Sequence, residues 1–68
     1  MPITIRVNGK TRSLTETTNL TALLDQLKLQ PRKVIVERNR QIVDRDVIDQ
    51  VILADGDDIE IIRIVSGG

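Results

Sequence analysis

The sequence contains no cysteine, histidine, phenylalanine, tyrosine or tryptophan. Without cysteine there is no disulfide, iron–sulfur cluster or zinc knuckle to staple a small chain, so aliphatic burial alone must hold the core. The usual nucleophiles and proton shuttles are missing as well, and the remaining carboxylates, lysines and hydroxyls show no recognisable spacing of a nucleophile with an orienting base. An autonomous enzyme is not expected, and no catalytic residue and no bound cofactor is assigned. No charge of one sign prevails: 10 Lys and Arg balance 10 Asp and Glu. A neutral chain is poorly suited to nonspecific capture by nucleic acid or an acidic membrane surface, so neither partner is expected. No apolar run approaches the roughly 20 residues that span a bilayer, and no leader pattern opens the chain, which reads as cytoplasmic.

What is present is aliphatic and β-branched. At 68 residues and 40% hydrophobic, the chain suffices for one small domain. Its 10 isoleucines and 7 valines outnumber its 7 leucines and favour a sheet-rich fold. Ile3, Ile5 and Val7 alternate with polar residues up to Asn8-Gly9, the dipeptide of a type I′ hairpin, and a weakly patterned return strand from about Lys10 to Leu14 suits a sheet edge. Thr18 or Asn19 caps a helix to about Leu27 or Lys28, whose Leu20, Leu23, Leu24 and Leu27 form one apolar stripe.

Pro31 stops that helix, and Lys33 to Arg38 reads as a central strand. A polar turn at 38–41 precedes Ile42-Val43. Asp44 to Gln50 is expected to make one helical turn with Val47 and Ile48 inward, and Val51 to Leu53 another short strand. The strongest strand runs from Ile59 to Val65. First and last strands can pair in parallel through the long connection, so the expected class is α+β: a β-grasp, with a mixed sheet of four to five strands and one main helix packed across it. Residues 1–65 form the single domain, and 66–68 a flexible Ser-Gly-Gly tail.

Two polar groupings read as solvated surface. Asp55, Asp57 and Asp58 lack the further ligands of a calcium loop, so no metal site is assigned. Arg32, Lys33, Arg38, Arg40 and Arg45 are interleaved with acids, and no aromatic is available to stack on a base.

The end of the sequence carries the functional signal. The last strand leads directly into Ser66-Gly67-Gly68, a slender tail whose final residues have no Cβ and fit a narrow tunnel. A carboxylate is ionised at neutral pH and is a poor electrophile, so acyl transfer from Gly68 requires activation to a mixed anhydride, for which ATP serves. Docking the domain and channelling the tail positions that carboxylate. Ile59 and Ile61 share one strand face and are assigned to the core, which leaves Ile62 and Ile64 on the other. With Val65 they form the expected partner-docking patch beside the tail.

Ile3 to Gly9, the Leu20 to Leu27 helix, Val36 to Asn39 followed by Gln41-Ile42-Val43 and Arg45, Leu53 to Asp57, and the closing Gly67-Gly68 stand in an order that resembles the ThiS family, the ubiquitin-like sulfur carriers of thiamine biosynthesis. The resemblance covers essentially the whole chain. It implies that an E1-like adenylating enzyme activates Gly68 with ATP, that sulfur from a persulfide donor displaces AMP to leave a thiocarboxylate, and that thiazole synthase accepts the tail and the sulfur. The protein is then a co-substrate rather than a catalyst. Asp44 stands where family members often have proline, and Ile64 where they often have an aromatic. The small subunit of molybdopterin synthase, a protein-conjugating ubiquitin-like modifier, and a regulatory β-grasp module with an inert tail remain open alternatives.

Overall fold

The alternation of Ile3, Ile5 and Val7 with Thr4 and Arg6 builds β1 (Ile3–Val7), and the Asn8-Gly9 turn returns the chain as β2 (Lys10–Leu14) in the computed structural model, which describes residues 1–64. Asn8 and Gly9 both have positive φ, 51° and 82°, as a type I′ turn requires. The helix α1 (Leu20–Gln26) starts where Asn19 Oδ1 accepts the Ala22 N–H at 2.7 Å, a side-chain cap on an otherwise unpaired donor. It ends where Lys28, at φ 60°, donates to the Asp25 carbonyl at 3.0 Å while Leu29 N–H reaches the Leu24 carbonyl at 2.9 Å. That is a Schellman closure, in which lysine occupies the left-handed position usually taken by glycine.

A 3₁₀ turn at Pro31–Lys33 leads into β3 (Val34–Arg38), and a turn through Asn39 and Arg40 returns the chain as the two-residue β4 (Gln41–Ile42). After a second 3₁₀ segment, Arg45–Gln50, the chain crosses to β5 (Asp58–Arg63). The five strands lie in the order β2-β1-β5-β3-β4, with β5 parallel to β1 and antiparallel to β3. This is the expected mixed α+β sheet with one main helix across it, β2 at one edge and the last strand at the centre.

The helix lays its leucine stripe on one sheet face. Leu20, Leu23 and Leu24 are fully buried against Ile5, Val36, Ile59 and Leu53 in one cluster. Each such leucine is stabilised by about 2 kcal/mol on leaving water, and with no aromatic ring present these aliphatic contacts are the core. Among the described residues, no helix is long and apolar enough to cross a membrane.

Two local expectations are corrected. Val51 to Leu53 is not a strand: Ile52 makes an isolated bridge with Asn19, and Leu53 N–H donates to the Thr18 carbonyl at 2.8 Å. Its partner segment turns into α1 after that single bridge, so no ladder can grow. Within Arg45–Gln50, Ile48 is 7% exposed but Val47 is 43% exposed. A 3₁₀ helix repeats every three residues, so one face carries Ile48 and the half-buried Val51, and Val47 points outward.

Candidate functional site

The tail departs from β5, and the backbone of β5 is held on both sides. Toward β1, Arg6 N–H donates to the Asp57 carbonyl and Asn8 N–H to the Ile59 carbonyl, each at 2.9 Å. At the next position β1 has already turned away, and the Asn8 side chain takes its place. Its Oδ1 accepts the Ile61 N–H at 2.7 Å, and its Nδ2 donates to the Ile61 carbonyl at 3.3 Å. One asparagine thus shapes the hairpin with its backbone and prolongs the β1–β5 pairing with its amide. Toward β3 the register runs from Arg38 opposite Ile59 to Val34 opposite Arg63, and Ile64 N–H donates to the Lys33 carbonyl at 2.9 Å. The chain is therefore fixed up to Ile64; Val65, Ser66, Gly67 and Gly68 lie outside the described residues.

The other end of β5 is anchored by a buried carboxylate. Asp57, expected on a solvated turn, is only 5% exposed. Its Oδ2 accepts from Arg38 Nε and from the Ala54 N–H, both at 2.9 Å, and its Oδ1 accepts from Asn39 Nδ2 at 3.1 Å. Asn39 in turn accepts the Asp58 N–H at 2.9 Å, and Arg38 Nη2 reaches the Ile52 carbonyl at 3.1 Å. Burial pushes the Asp57 carboxyl upward, but the Ala54 N–H, the Asn39 amide and the Arg38 guanidinium outweigh it and hold the group below the ordinary carboxylate range. Arg38 likewise leaves the solvated set to which the sequence assigned it. Period-two alternation carried the signal, since Asp57 shares the inward parity of Ile59 and Ile61.

The outer sheet face carries apolar residues that the helix does not cover. Ile59 and Ile61 lie in the core, whereas Ile62 is 50% and Ile64 46% exposed. The register sets Ile62 directly opposite Ile35, itself 38% exposed, and Ile42 on β4 is 72% exposed. Sequence reasoning read Lys33 to Arg38 as a central strand and did not assign Ile35 to a face. The signal was its position between Val34 and Val36, both buried on the opposite face. Of the expected patch, Ile62 and Ile64 lie on described backbone and Val65 falls beyond it. Among the described residues, no three acidic side chains gather in a way that could hold a metal ion.

The described site is thus a strand with an apolar outer face, tied at its start by the ion pair of buried Asp57 with half-buried Arg38 and at its end by a backbone bond to Lys33. The ThiS family model matches residues 5–68. The sulfur carrier protein ThiS of Bacillus subtilis is 37% identical over 65 residues, 94% of this chain and 98% of that protein. Two thiazole synthases, of Paramagnetospirillum magneticum and Magnetococcus marinus, are 40% and 38% identical over 62 and 64 residues. The chain spans about a fifth of their length, 19% and 20%. A crystal structure of the thiamine biosynthesis protein ThiS of Geobacter metallireducens superposes with a TM-score of 0.83 at 35% identity, covering 97% of this chain and 100% of that one.

Proposed function

The chain belongs to the ThiS family, and from that membership we propose that it is a sulfur carrier for thiazole formation in thiamine biosynthesis, with Gly68 as the group that is modified. An E1-like adenylating enzyme joins the Gly68 carboxylate to the α-phosphate of ATP and releases pyrophosphate. A persulfide donor then supplies sulfur, AMP leaves, and the terminus becomes a thiocarboxylate. Thiazole synthase receives the tail and takes the sulfur. The protein acts in the cytoplasm as a recycled co-substrate, and ATP is bound by the activating enzyme rather than by the carrier.

The observation that carries this reading is that the family match extends through residue 68, across Ser66-Gly67-Gly68. The Bacillus subtilis carrier supports it by matching nearly end to end. Because thiazole synthases contain a segment like this chain, the synthase is its natural acceptor. The fold supplies what such chemistry needs. Activation of a carboxylate is limited by positioning, and a strand held on both sides up to Ile61, and on the β3 side up to Ile64, delivers the tail from a fixed point. Ile62 and Ile64 are the described part of the docking patch proposed beside it, which Ile35 extends across the sheet and to which Val65, outside the described residues, is assigned from the sequence.

Intact-mass measurement tests the proposal. Incubation with ATP, an E1-like enzyme and a persulfide donor is expected to add the mass difference between sulfur and oxygen. Deletion of Gly68 is expected to abolish that gain and leave the melting temperature unchanged. An isopeptide adduct on a lysine of another protein, with no thiocarboxylate, would refute the carrier reading in favour of a modifier.

A further inference from the structure

The strand that carries the tail leaves the body between two unlike surroundings. On the outer face lie Ile62 and Ile35. On the helix side lies a pocket of about 280 Å³ whose lining includes Lys28, Lys33 and Arg63 over Leu29 and Val34. Each cation is placed there by the backbone. Lys28 occupies the left-handed position that closes α1, at φ 60°, where glycine is the usual residue. Lys33 closes the turn after Pro31 by donating its N–H to the Gln30 carbonyl at 2.9 Å, and its own carbonyl receives the Ile64 N–H. Arg63 is the last residue of β5 and stands opposite Val34. All three are exposed, and among the described residues none has a carboxylate within ion-pair distance; the ion pair found there joins Arg38 to Asp57. A chain of zero net charge therefore gathers three exposed cations at the base of its tail.

We propose that the pocket of Lys28, Lys33 and Arg63 docks an acidic segment of the activating enzyme at the mouth of the site that takes the tail. This rests on the sulfur-carrier reading. The pocket is assigned to the base of the tail and not to the reacting phosphate, because five residues separate Arg63 from the Gly68 carboxyl and, threaded in extended form, would span as much as about 17 Å. The pocket meets whatever surrounds the first residues of the threaded tail. A basic rim there would repel it, whereas an acidic rim steers the encounter and fixes its rotation about the tail. The apolar outer face supplies contact area without that direction.

The test is the salt dependence of adenylation, read as pyrophosphate exchange with the activating enzyme. The double reversal Lys28→Glu with Arg63→Glu is expected to lower kcat/KM for the carrier about tenfold or more, to leave kcat at saturation unchanged, and to flatten the fall of kcat/KM with added salt. Lys28→Arg with Arg63→Lys restores wild-type behaviour. Arg40→Glu, in the β3–β4 turn at the opposite end of β5, leaves kcat/KM unchanged. Lys28→Gly, which suits the backbone at that position, lowers kcat/KM with the fold preserved and serves if the double variant does not fold. A folded double variant with wild-type kcat/KM and salt slope overturns the proposal, as does a loss confined to kcat. Binding of ATP or inorganic phosphate to the free carrier through these three residues also overturns it. Failure of the wild-type protein to be adenylated at all refutes the carrier reading itself, a result distinct from any of these.

Discussion

Arg38 Nε and Asp57 Oδ2 lie 2.9 Å apart, in a pair that joins the end of β3 to the residue just before β5. Asp57 is buried, and its other contacts come from the Ala54 N–H and Asn39, so the carboxylate ties the loop before β5 to the turn after β3. Asp57→Ala leaves the Ala54 N–H and the Arg38 guanidinium without their acceptor. A loss of about 2–3 kcal/mol is expected, measured as a lower urea midpoint at pH 7.

The same pair makes stability depend on acid in a defined direction. The folded-state value of Asp57 lies below its ordinary one, so at intermediate acidity the unfolded chain binds the extra proton. The contribution is fully present above the unfolded value of about 4 and is lost as pH falls through the lower folded value. Asp57→Asn removes this titration. Denaturant melts at pH 7 and pH 3 are expected to show a smaller loss between the two for Asp57→Asn than for the wild-type protein.

Asn8 holds Ile61 through two side-chain hydrogen bonds while keeping a left-handed backbone. Asn8→Gly preserves the turn and removes only the amide. It is expected to destabilise the protein by about 1–2 kcal/mol and to accelerate hydrogen exchange at the Ile61 amide, with little change at Val36. Unchanged exchange at Ile61 would show that the asparagine acts only in the hairpin.

Arg40 sits in the β3–β4 turn at φ 72°, a region that disfavours side chains with a Cβ. Arg40→Gly relieves that strain against a partly offsetting gain in unfolded-chain freedom, for an expected net stabilisation of about 0.5–1 kcal/mol. A raised melting temperature at unchanged net fold is the readout; a lowered one would mean that the arginine side chain contributes more than its backbone loses.

Neighbouring isoleucines on β5 are expected to separate stability from recognition. Ile61 is buried and Ile62 half exposed. Ile61→Ser destabilises by about 3 kcal/mol, whereas Ile62→Ser changes stability by about 0.5 kcal/mol or less and raises KM for the carrier in adenylation. Equal effects on melting for the two variants would place both side chains in the core.

Much of this architecture is legible from local chemistry. Asn8-Gly9 announces a hairpin, Thr18 or Asn19 a helix start, the leucine stripe its extent to about Leu27, and the parity of Ile59 and Ile61 identifies the inward face of the last strand. These features depend on residues near one another in sequence. The missed features are relations across the fold. Asp57 looks like one acid among several until Arg38 and Asn39 arrive from another strand and turn. Asn8 fits a turn so well that its second task, bonding to a residue 53 positions away, leaves no local trace. Ile35 has no assigned face in the sequence because a run of three β-branched residues conceals which of them points out, and the register with Ile62 shows it. Val51 to Leu53 has strand composition, but composition cannot announce that its neighbour is about to become a helix.

The central position of β5 also governs how the protein is born. While the ribosome is still reading the middle of the message, the nascent chain can form its hairpin and helix but has nothing to join β1 to β3, because both need a strand not yet made. Synthesis interrupted before Asp58 thus leaves the sheet in two unjoined parts. The strand that completes the sheet is thus also the one that the residues proposed to be modified follow in sequence.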